Sequence, residues 1–343
     1  MGKVANIKSR KTDHIRINLE NDVSSKLTTG LGRYKFIHRA LPELDFGEID
    51  TSLSFFDRSL SAPVLISSMT GGTAEAAEIN RNLATAAQET GIAMGVGSQR
   101  VAIENQSLVS TFSIRKYAPD ILLFANLGAI QLNYGYGSDE CERAVEMIGA
   151  DALVLHLNPL QEALQPGGDT NFENLSRKIE EICKRLSKPV IVKEVGWGFS
   201  THDVKLLIEA GVSAIDVAGA GGTSWSQVEM YRAENEMQAQ IASSFVDWGI
   251  PTSNAIKNVR EISGEIPVIA SGGIRNGVEI SKCIALGANL GGLASPFLKA
   301  AKVSVEKTVD SLSVIMTEIR ICMFASGVKR LDGLNESVLY TLE

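Results

Sequence analysis

Residues 152–158 read Ala152-Leu-Val-Leu-His-Leu-Asn158, a run that is apolar almost to its end. A run of this kind, without alternation, is typical of a parallel strand covered on both faces. The same pattern returns seven times, with helical stretches between the runs. Eight strand–helix alternations over about 240 residues predict an α/β fold, a (β/α)8 TIM barrel, with a doubly wound open sheet as the alternative. The other seven runs are 62–68, 92–97, 121–127, 189–194, 214–218, 266–271 and 290–294.

The chain extends beyond the predicted barrel at both ends. Residues 1–61 are predicted to be an N-terminal extension, or lid, that packs on the barrel, and residues 62–300 are predicted to form the barrel. Residues 301–343 are predicted to hold a closing C-terminal helix over about 304–326 and a polar tail. Outer helices are predicted at 74–90, 104–117, 138–149, 172–187, 201–210 and 276–287, and the insert 231–262 is predicted to hold more than one helix.

The composition excludes several classes of protein. Lys and Arg number 33 against 40 Asp and Glu, and the net charge of −7 argues against a general nucleic-acid binder or a polybasic membrane-surface protein. No apolar run reaches the roughly 18 residues of a membrane span, and the polar start MGKVANIKSRK is not a signal peptide. The four cysteines, at 141, 183, 283 and 322, show no CxxC spacing and are predicted to be reduced, buried thiols of a cytoplasmic protein.

Polar or glycine-rich groups follow nearly every predicted strand. In a barrel these groups share the rim at the C-terminal ends of the strands, where active sites lie. A barrel that used its loops only as turns would not need Lys, His, Asn, Gln and Arg there, so the rim is predicted to be a site. The groups begin at Ser67, Gly97, Asn126, His156, Lys193, Gly219, Ser271 and Ala294.

The segment Ser271-Gly-Gly-Ile-Arg275 has the layout of a barrel phosphate site. Backbone N–H groups in a glycine turn, beside a helix N-terminus and the final strand, can hold a dianion. A second glycine group at 219–222, followed by Thr223, supports phosphate binding. A plain tight turn is the alternative, because glycine also serves turns that bind nothing.

Several charged positions have both a structural and a functional interpretation. His156 is either a satisfied structural residue or a site residue, and Lys193 either reaches water or neutralises negative charge on a reduced flavin. Glu162 is a single carboxylate, which suits Mg²⁺ that takes water and substrate phosphate oxygens as its other ligands. Arg10 and Lys11 form either a solvated charge cluster or a lid over an anionic substrate.

Taken together, these motifs resemble the type 2 isopentenyl diphosphate isomerases, which are FMN-dependent. The resemblance runs in order over about 300 residues. Met94-Gly-Val-Gly-Ser-Gln-Arg100 and His156-Leu-Asn-Pro-Leu-Gln-Glu162 are specific to that family, whereas the glycine phosphate motif is shared by many FMN barrels. Further matching segments are Arg10-Lys-Thr-Asp-His14, Ser68-Met-Thr-Gly-Gly72, Asn126-Leu-Gly128, Gln165-Pro166, Lys193-Glu194, Gly221-Gly-Thr-Ser-Trp225 and Trp248-Gly-Ile-Pro-Thr252.

The resemblance also implies which residues act. It implies that His156 and Gln161 are catalytic and that Glu162 holds Mg²⁺. At Ala218 the chain departs from relatives that can carry Ser near the flavin, which removes one hydrogen bond. The residues implied to bind substrate are Arg10, Lys11, Ser98, Gln99, Arg100, His156 and Gln161. The residues implied to hold FMN are Ser67, Ser68, Met69, Thr70, Ser98, Asn126, Lys193, Thr223, Gly273, Ile274, Arg275, Ala294 and Ser295.

The implied reaction belongs to isoprenoid biosynthesis and interconverts isopentenyl and dimethylallyl diphosphate without net redox change. Reduced FMN would then be the acid–base group, which the protein orients, and NADPH would only reduce it. Relatives form tetramers and octamers, so a homo-oligomer is implied. Two alternatives remain open. One is an FMN-dependent oxidoreductase of the 2-hydroxy-acid type, although Gly219-Ala-Gly-Gly-Thr-Ser224 lacks the His-Gly-Gly-Arg of that family. The other is a non-catalytic barrel that binds a phosphate ligand.

Overall fold

A computed structural model describes residues 13–14 and 16–342 of the chain. At its centre, eight parallel strands form a closed barrel in which each strand pairs with the next and the eighth pairs with the first. The predicted TIM barrel is confirmed, and the open-sheet alternative is wrong, because closure leaves no edge strand. The strands are β1 (Val64–Ile66), β2 (Ala93–Gly95), β3 (Leu123–Gly128), β4 (Ala152–His156), β5 (Val190–Lys193), β6 (Ala214–Asp216), β7 (Val268–Ala270) and β8 (Leu290–Leu293).

Helices surround the barrel, and most lie within a few residues of their predicted positions. The first begins where the side chain of Thr73 accepts a hydrogen bond of 3.1 Å from the N–H of Ala76, as an N-cap does. The helices are α1 (Ala74–Thr90), α2 (Arg100–Glu104), α3 (Ser138–Ile148), α4 (Pro159–Leu164), α5 (Leu175–Arg185), α6 (Thr201–Glu209), α7 (Trp225–Arg232), α8 (Glu236–Ser243), α9 (Thr252–Ile262), α10 (Gly277–Ala285), α11 (Ser295–Ala301) and α12 (Val305–Ala325).

The helix predicted at 104–117 is wrong. Helix α2 ends at Glu104, and Asn105 is extended, with a φ of −142° and a ψ of 101°. Two short 3₁₀ helices follow, at Gln106–Thr111 and Arg115–Tyr117. The reason is local: the side chain of Asn105 accepts a hydrogen bond of 3.1 Å from the N–H of Ser107, and so begins a new turn instead of continuing the helix.

The insert and the closing helix agree with expectation in kind and differ in extent. The insert is predicted over 231–262 and holds three helices, α7, α8 and α9. The first of them begins earlier than predicted, at Trp225. The closing helix predicted at about 304–326 is α12, which begins after Ser304, whose side chain accepts a hydrogen bond from the N–H of Lys307. A further short helix, α11, separates β8 from α12.

A hairpin closes the N-terminal end of the barrel. Its strands are Leu53–Phe55 and Arg58–Leu60, and Phe55 and Leu60 are buried against the residues that fill the barrel interior. Arg58 donates hydrogen bonds of 3.2 and 2.7 Å to Asp151, which also accepts from Arg115 at 2.9 Å. With this end filled, the opposite C-terminal rim is the face open to a ligand.

Both ends of the described chain meet in a small antiparallel sheet. Residues Tyr34–Phe36 pair with Leu339–Thr341, so that Tyr34 lies opposite Thr341. An isolated bridge between Asp50 and Arg330 continues this contact. The N-terminal extension and the C-terminal tail therefore hold each other against the barrel, and the domain boundaries at 61 and 300 stay predictions.

The four cysteines are free thiols. Cys141, Cys283 and Cys322 are buried as expected, whereas Cys183 on α5 is only half-buried. Across residues 13–14 and 16–342, none of the helices combines the length and apolar character needed to cross a lipid bilayer.

Candidate active site

The polar groups that follow the strands meet at the C-terminal rim of the barrel, opposite the hairpin. His156 Nδ1 lies 2.9 Å from Asn126 Oδ1, which joins the ends of β4 and β3. Lys193 Nζ lies 3.4 Å from Ser271 Oγ, which joins the ends of β5 and β7. The structure thus brings strand ends from separate parts of the sequence into direct contact.

The wall formed by the ends of β1, β2 and β8 is tightly packed and polar. Ser67 is buried, and its hydroxyl has no hydrogen-bond partner in the described chain. Thr70 is buried, and its hydroxyl donates to Asn80 Oδ1 at 2.8 Å. A Cβ atom on Gly97 would lie 2.7 Å from the carbonyl oxygen of Thr70, so only glycine fits beside that backbone. This wall leaves one buried hydroxyl, that of Ser67, for a ligand.

The orientation of His156 is fixed by its neighbour. Because Asn126 Oδ1 is an acceptor, His156 Nδ1 carries the proton of this hydrogen bond. In the neutral ring the acceptor is then Nε2, which lies on the side of Gly128, 3.2 Å from where a Cβ on that glycine would be. A side chain at position 128 would therefore press on this nitrogen.

Glu162 lies in the first turn of α4, the short helix after β4, and hydrogen-bond donors surround its carboxylate. Its carboxylate accepts from Asn158 Nδ2 at 2.9 Å, from the N–H of Asp169 at 2.7 Å and from Gln165 Nε2. Asn158 Oδ1 is buried without a hydrogen-bond partner in the described chain. Among residues 13–14 and 16–342, no group of three or more His, Cys, Asp or Glu could hold a metal, so Glu162 is not part of such a cluster.

Arg100 is held by two carboxylates. Its guanidinium pairs with Glu104 at 2.9 Å and with Asp169 at 2.8 Å, and Gln131 also donates to Asp169 at 3.1 Å. Burial lowers the pKa of Arg100, but the two carboxylates outweigh burial and hold the pKa above its usual range. Since Asp169 also donates its N–H to Glu162, this residue connects the predicted substrate cation to the predicted metal ligand.

The structure does not bring the side chain of Gln99 to the rim with Ser98 and His156. Its side chain is fully buried, donates to the carbonyl of Ala144 in α3 at 2.8 Å and accepts from the N–H of Asn126 at 2.9 Å. Gln99 thus ties α3 to the end of β3, and its role in substrate binding stays a prediction. Ser98, one residue earlier, is half-buried at the rim.

Two buried carboxylates accompany Lys193, and neither is among the predicted site residues. Asp216 Oδ2 lies 3.6 Å from Lys193 Nζ. Glu194 turns back and accepts hydrogen bonds of 2.5 to 3.2 Å from four successive backbone N–H groups, those of residues 195–198. Burial raises the pKa of Glu194 to about 7 against the effect of these donors. Glu194 therefore shapes the loop after β5, while Asp216 faces the ammonium.

Gln161 donates to a buried carboxylate of the insert. Its Nε2 lies 3.3 Å from Glu229 Oε1 on α7, and Arg232 donates to Glu229 Oε2 at 2.6 Å. His14 Nε2 lies 3.5 Å from the same Oε1. Burial raises the pKa of Glu229, but the interactions with His14, Arg232 and Gln161 outweigh burial and hold the pKa below its usual range. An ionised carboxylate therefore lies beside Gln161.

The described part of the N-terminal extension packs across the loop after β6. Thr223 donates to Asn18 Oδ1 at 3.2 Å, and Ser24 forms a bridge with Thr223. Ile17 and Val23 are buried against Val228 of α7. The extension therefore covers the insert beside the rim, while Arg10 and Lys11 lie outside the described residues.

The two glycine groups contact each other through their backbones. A Cβ on Gly272 would lie 2.0 Å from the carbonyl oxygen of Gly219, and a Cβ on Gly273 would lie 2.4 Å from the carbonyl carbon of Gly221. Gly272 and Gly273 have φ values of 101° and 72°, which favour glycine. Glycine is therefore required at these positions for the two loops to pack, whether or not a ligand binds there.

The remaining predicted flavin residues lie around this junction with different exposures. Ile274 is buried, and Arg275 is exposed with its N–H donating to Glu279 Oε2 at 2.8 Å. Ala218, the position that departs from relatives, is buried and has a positive φ of 35°. The half-buried residues are Ser68, Met69, Thr223, Gly273 and Ala294, and Ser295 is exposed at the start of α11.

The sequence analysis missed three acidic residues that contact predicted site residues, namely Asp216, Asp169 and Glu229. Asp216 stands in an apolar strand, Ala214-Ile-Asp216, and a lone carboxylate in such a run is a signal that could have found it. Asp169 follows the matching segment Gln165-Pro166 closely enough to have been considered. Glu229 lies 68 residues from Gln161, and no local signal marks it.

Comparisons with known proteins agree on one family. The pattern of the FMN-dependent dehydrogenase family matches residues 7–108 and 158–341. The chain is 56% identical over 334 residues to an isopentenyl-diphosphate delta-isomerase of Nostoc sp., covering 97% of this chain and 95% of the relative. It is 53% identical over 325 residues to the enzyme of the same name from Rickettsia felis, covering 95% and 94%.

Solved structures of flavoproteins share the fold. A flavocytochrome b2 variant with benzoylformate has a TM-score of 0.67 at 18% identity, covering 95% of this chain and 78% of its own. A mandelate oxidase variant with the monooxide FMN adduct has a TM-score of 0.63 at 17% identity, covering 96% and 92%. At this identity the likeness concerns the barrel architecture.

Proposed function

The chain belongs to the type 2 isopentenyl-diphosphate delta-isomerases within the FMN-dependent dehydrogenase family, and from this membership we propose that it interconverts isopentenyl and dimethylallyl diphosphate. The observation that carries the proposal is the similarity over nearly the whole chain to isomerases of that name. The structure supports it with a rim that combines a cradle for FMN, cations for a diphosphate and a buried amide–carboxylate pair, Gln161 and Glu229.

The reaction adds a proton at one carbon and removes one at another, so substrate and product have the same oxidation state. Bound in its reduced form, FMN supplies the acid–base group for this transfer, and NADPH serves only to reduce it. The protein contributes binding, orientation and exclusion of water. Gln161 is suited to orient the substrate, because its amide is itself held by Asn158 and Glu229.

The residues at the rim fit FMN. The hydroxyl of Ser67, which has no partner in the described chain, is a buried group that a ligand can satisfy, and Lys193 offers an ammonium. Gly272 and Gly273 have positive φ values and precede α10, and backbone N–H groups of this turn would hold the phosphate. The other predicted flavin residues would hold the rest of the cofactor.

The residues after β4 fit one Mg²⁺. Mg²⁺ takes oxygen ligands and keeps several waters, so one or two protein oxygens are enough. Glu162 supplies a carboxylate, and Asn158 Oδ1 is a buried carbonyl oxygen that nothing in the described chain satisfies. Glu162 would hold the metal and Asn158 would support it, and the metal would supply positive charge for the diphosphate.

Cations on the protein would complete the diphosphate site. Arg100 lies at the rim beside Glu162, held by Asp169 and Glu104, and would turn toward an anion that competes with these carboxylates. His156, fixed by Asn126, would present its second ring nitrogen to the substrate. Arg10 and Lys11 would close over the diphosphate. A tetramer or octamer and a cytoplasmic location also remain part of the proposal.

The 2-hydroxy-acid oxidoreductase alternative is disfavoured by the loop after β6. In this chain Gly219, Gly221 and Gly222 of that loop pack against the backbone of neighbouring segments, and no imidazole is there to accept a proton from a hydroxy acid. The likeness to flavocytochrome b2 and mandelate oxidase concerns the fold.

The test is conversion of isopentenyl diphosphate by the purified protein with FMN, Mg²⁺ and either NADPH or dithionite. Phosphorus and proton NMR of the mixture should show dimethylallyl diphosphate, and dithionite should replace NADPH. Oxidised FMN without a reductant is the matched control and should give no product. One NADPH oxidised per product molecule, or no product with reduced FMN bound, would overturn the proposal.

A further inference from the structure

The ends of β5, β6 and β7 place a carboxylate beside the cation predicted to face the flavin. Asp216 ends β6, Lys193 ends β5, and Ser271 follows β7. Asp216 Oδ1 accepts a hydrogen bond of 2.6 Å from Ser271 Oγ, and Asp216 Oδ2 lies 3.6 Å from Lys193 Nζ. The side chain of Asp216 is 3% exposed and that of Lys193 is 12% exposed. Burying two charged groups costs free energy, so this pair calls for an explanation in terms of the site.

The interactions of Asp216 differ from those of a carboxylate that serves structure alone. Asp151, at the opposite end of the barrel, accepts hydrogen bonds from Arg58, Arg115 and the N–H of Leu123. Asp216 has one short side-chain hydrogen bond, to neutral Ser271, and lies beside Lys193 without donor–acceptor contact. Its interaction with the ammonium is therefore mainly one of charge.

Lys193 keeps a donor for a ligand. Its ammonium has three N–H groups, and in the described chain it uses them on the carbonyl of Glu194 at 2.9 Å and on Ser271 Oγ at 3.4 Å. The carboxylate of Glu194 is bound by four backbone N–H groups instead of by Lys193. Asp216 is thus the carboxylate that forms an ion pair with Lys193 among the described residues.

We propose that Asp216 is a positioning residue that sets the net charge which Lys193 presents to the flavin ring. The inference rests on the proposed function, in which FMN binds at this rim. Reduction places negative charge on the ring, which an ammonium stabilises and a carboxylate destabilises. Asp216 therefore lowers the midpoint potential of bound FMN below the value it would have if Lys193 lacked this carboxylate partner. Through Ser271 it also ties this charge pair to the glycine loop predicted to hold the phosphate.

The test is the midpoint potential of FMN bound to the full-length protein, measured by dithionite titration against a reference dye. Asp216→Asn removes the negative charge and should shift the potential upward. Lys193→Gln removes the positive charge and should shift it downward. The double variant should return close to the wild-type value, because both charges are then absent. Asp151→Asn is the matched control, with the same change at the far end of the barrel, and should leave the potential unchanged.

The outcomes separate a charge effect from a structural one. An unshifted potential in Asp216→Asn, a double variant equal to Lys193→Gln, or an equal shift in Asp151→Asn would overturn the inference. If Asp216→Asn does not retain FMN, Ser271→Ala gives a second test: it frees Asp216 from its hydrogen bond and should shift the potential, whereas an unchanged value would overturn the inference. A wild-type protein that binds no FMN or forms no product would instead refute the proposed function.

Discussion

Replacing Glu162 with Gln is expected to raise the Mg²⁺ concentration for half-maximal isomerisation by roughly 10- to 100-fold. The carboxylate accepts hydrogen bonds from Asn158, Gln165 and the N–H of Asp169. Glutamine has one oxygen and one NH₂ group at these positions, so at least one donor would face another donor. The change also removes the negative charge that a divalent cation needs.

The magnitude follows from the removal of one charged interaction. An interaction of hydrogen-bond type with a charged group contributes about 1.5–3 kcal/mol, and about 1.4 kcal/mol corresponds to a tenfold change in an equilibrium constant. Removing one such interaction from the metal therefore weakens Mg²⁺ binding by a factor of roughly 10 to 100. Because the substrate reaches the site partly through Mg²⁺, its KM should rise at low Mg²⁺ and recover as the metal approaches saturation.

The assay is a Mg²⁺ titration of EDTA-treated protein at saturating substrate with reduced FMN. Gln161→Ala is the matched control, one residue earlier on α4. That change removes the hydrogen bond to Glu229 and should lower kcat with little change in the Mg²⁺ requirement. Identical Mg²⁺ dependence in the wild type and Glu162→Gln would remove Glu162 from the metal site.

Three further results are expected. Deleting residues 1–13 should raise KM by at least about tenfold with FMN binding intact, since removing one partner of a desolvated charge pair costs about 2–5 kcal/mol; an unchanged KM would make Arg10 and Lys11 a solvated cluster. FMN should turn the protein yellow and FAD should bind poorly, as a titration of both will check. Asp151→Asn should cost about 1.5–3 kcal/mol of unfolding free energy at pH 7, measured in urea. Burial raises the pKa of Asp151, but the N–H of Leu123 and two guanidinium groups outweigh burial and hold the pKa below its usual range. The stability of the wild type should therefore fall as the pH drops below about 4, whereas the stability of the variant should depend less on pH.

The barrel could be predicted from the sequence because its strands are buried on both faces. Runs such as Ala152–His156 are apolar up to their last residue, and this signal does not depend on distant residues. The error at 104–117 arose where the signal is local and weak: Asn105 offers its side chain to the next turn, and apolar spacing does not record that competition. The pairing of Tyr34–Phe36 with Leu339–Thr341 has no local signal in the sequence at all.

The site was predictable in position and less so in its detailed interactions. Strand order alone brings His156 and Lys193 to one rim, as the closed barrel requires. The direction of a side chain depends on what it packs against, which is why Gln99 turns toward α3 while its neighbour Arg100 pairs with Asp169. Gly272 shows a further difficulty, because a glycine that allows two loops to pack looks the same in sequence as one that accommodates a phosphate.

Closure of the barrel has a consequence for the order in which the chain can fold during synthesis. Strand β8 supplies the second neighbour of both β1 and β7, so a nascent chain that ends before residue 290 has two exposed sheet edges. The pairing of Tyr34 with Thr341 must wait even longer, and such distant pairings form slowly because a long loop has to close first. Between the synthesis of β7 and that of β8, the growing chain is therefore most open to association with its own copies, and a ribosome that pauses there should increase aggregation more than one that pauses after β8.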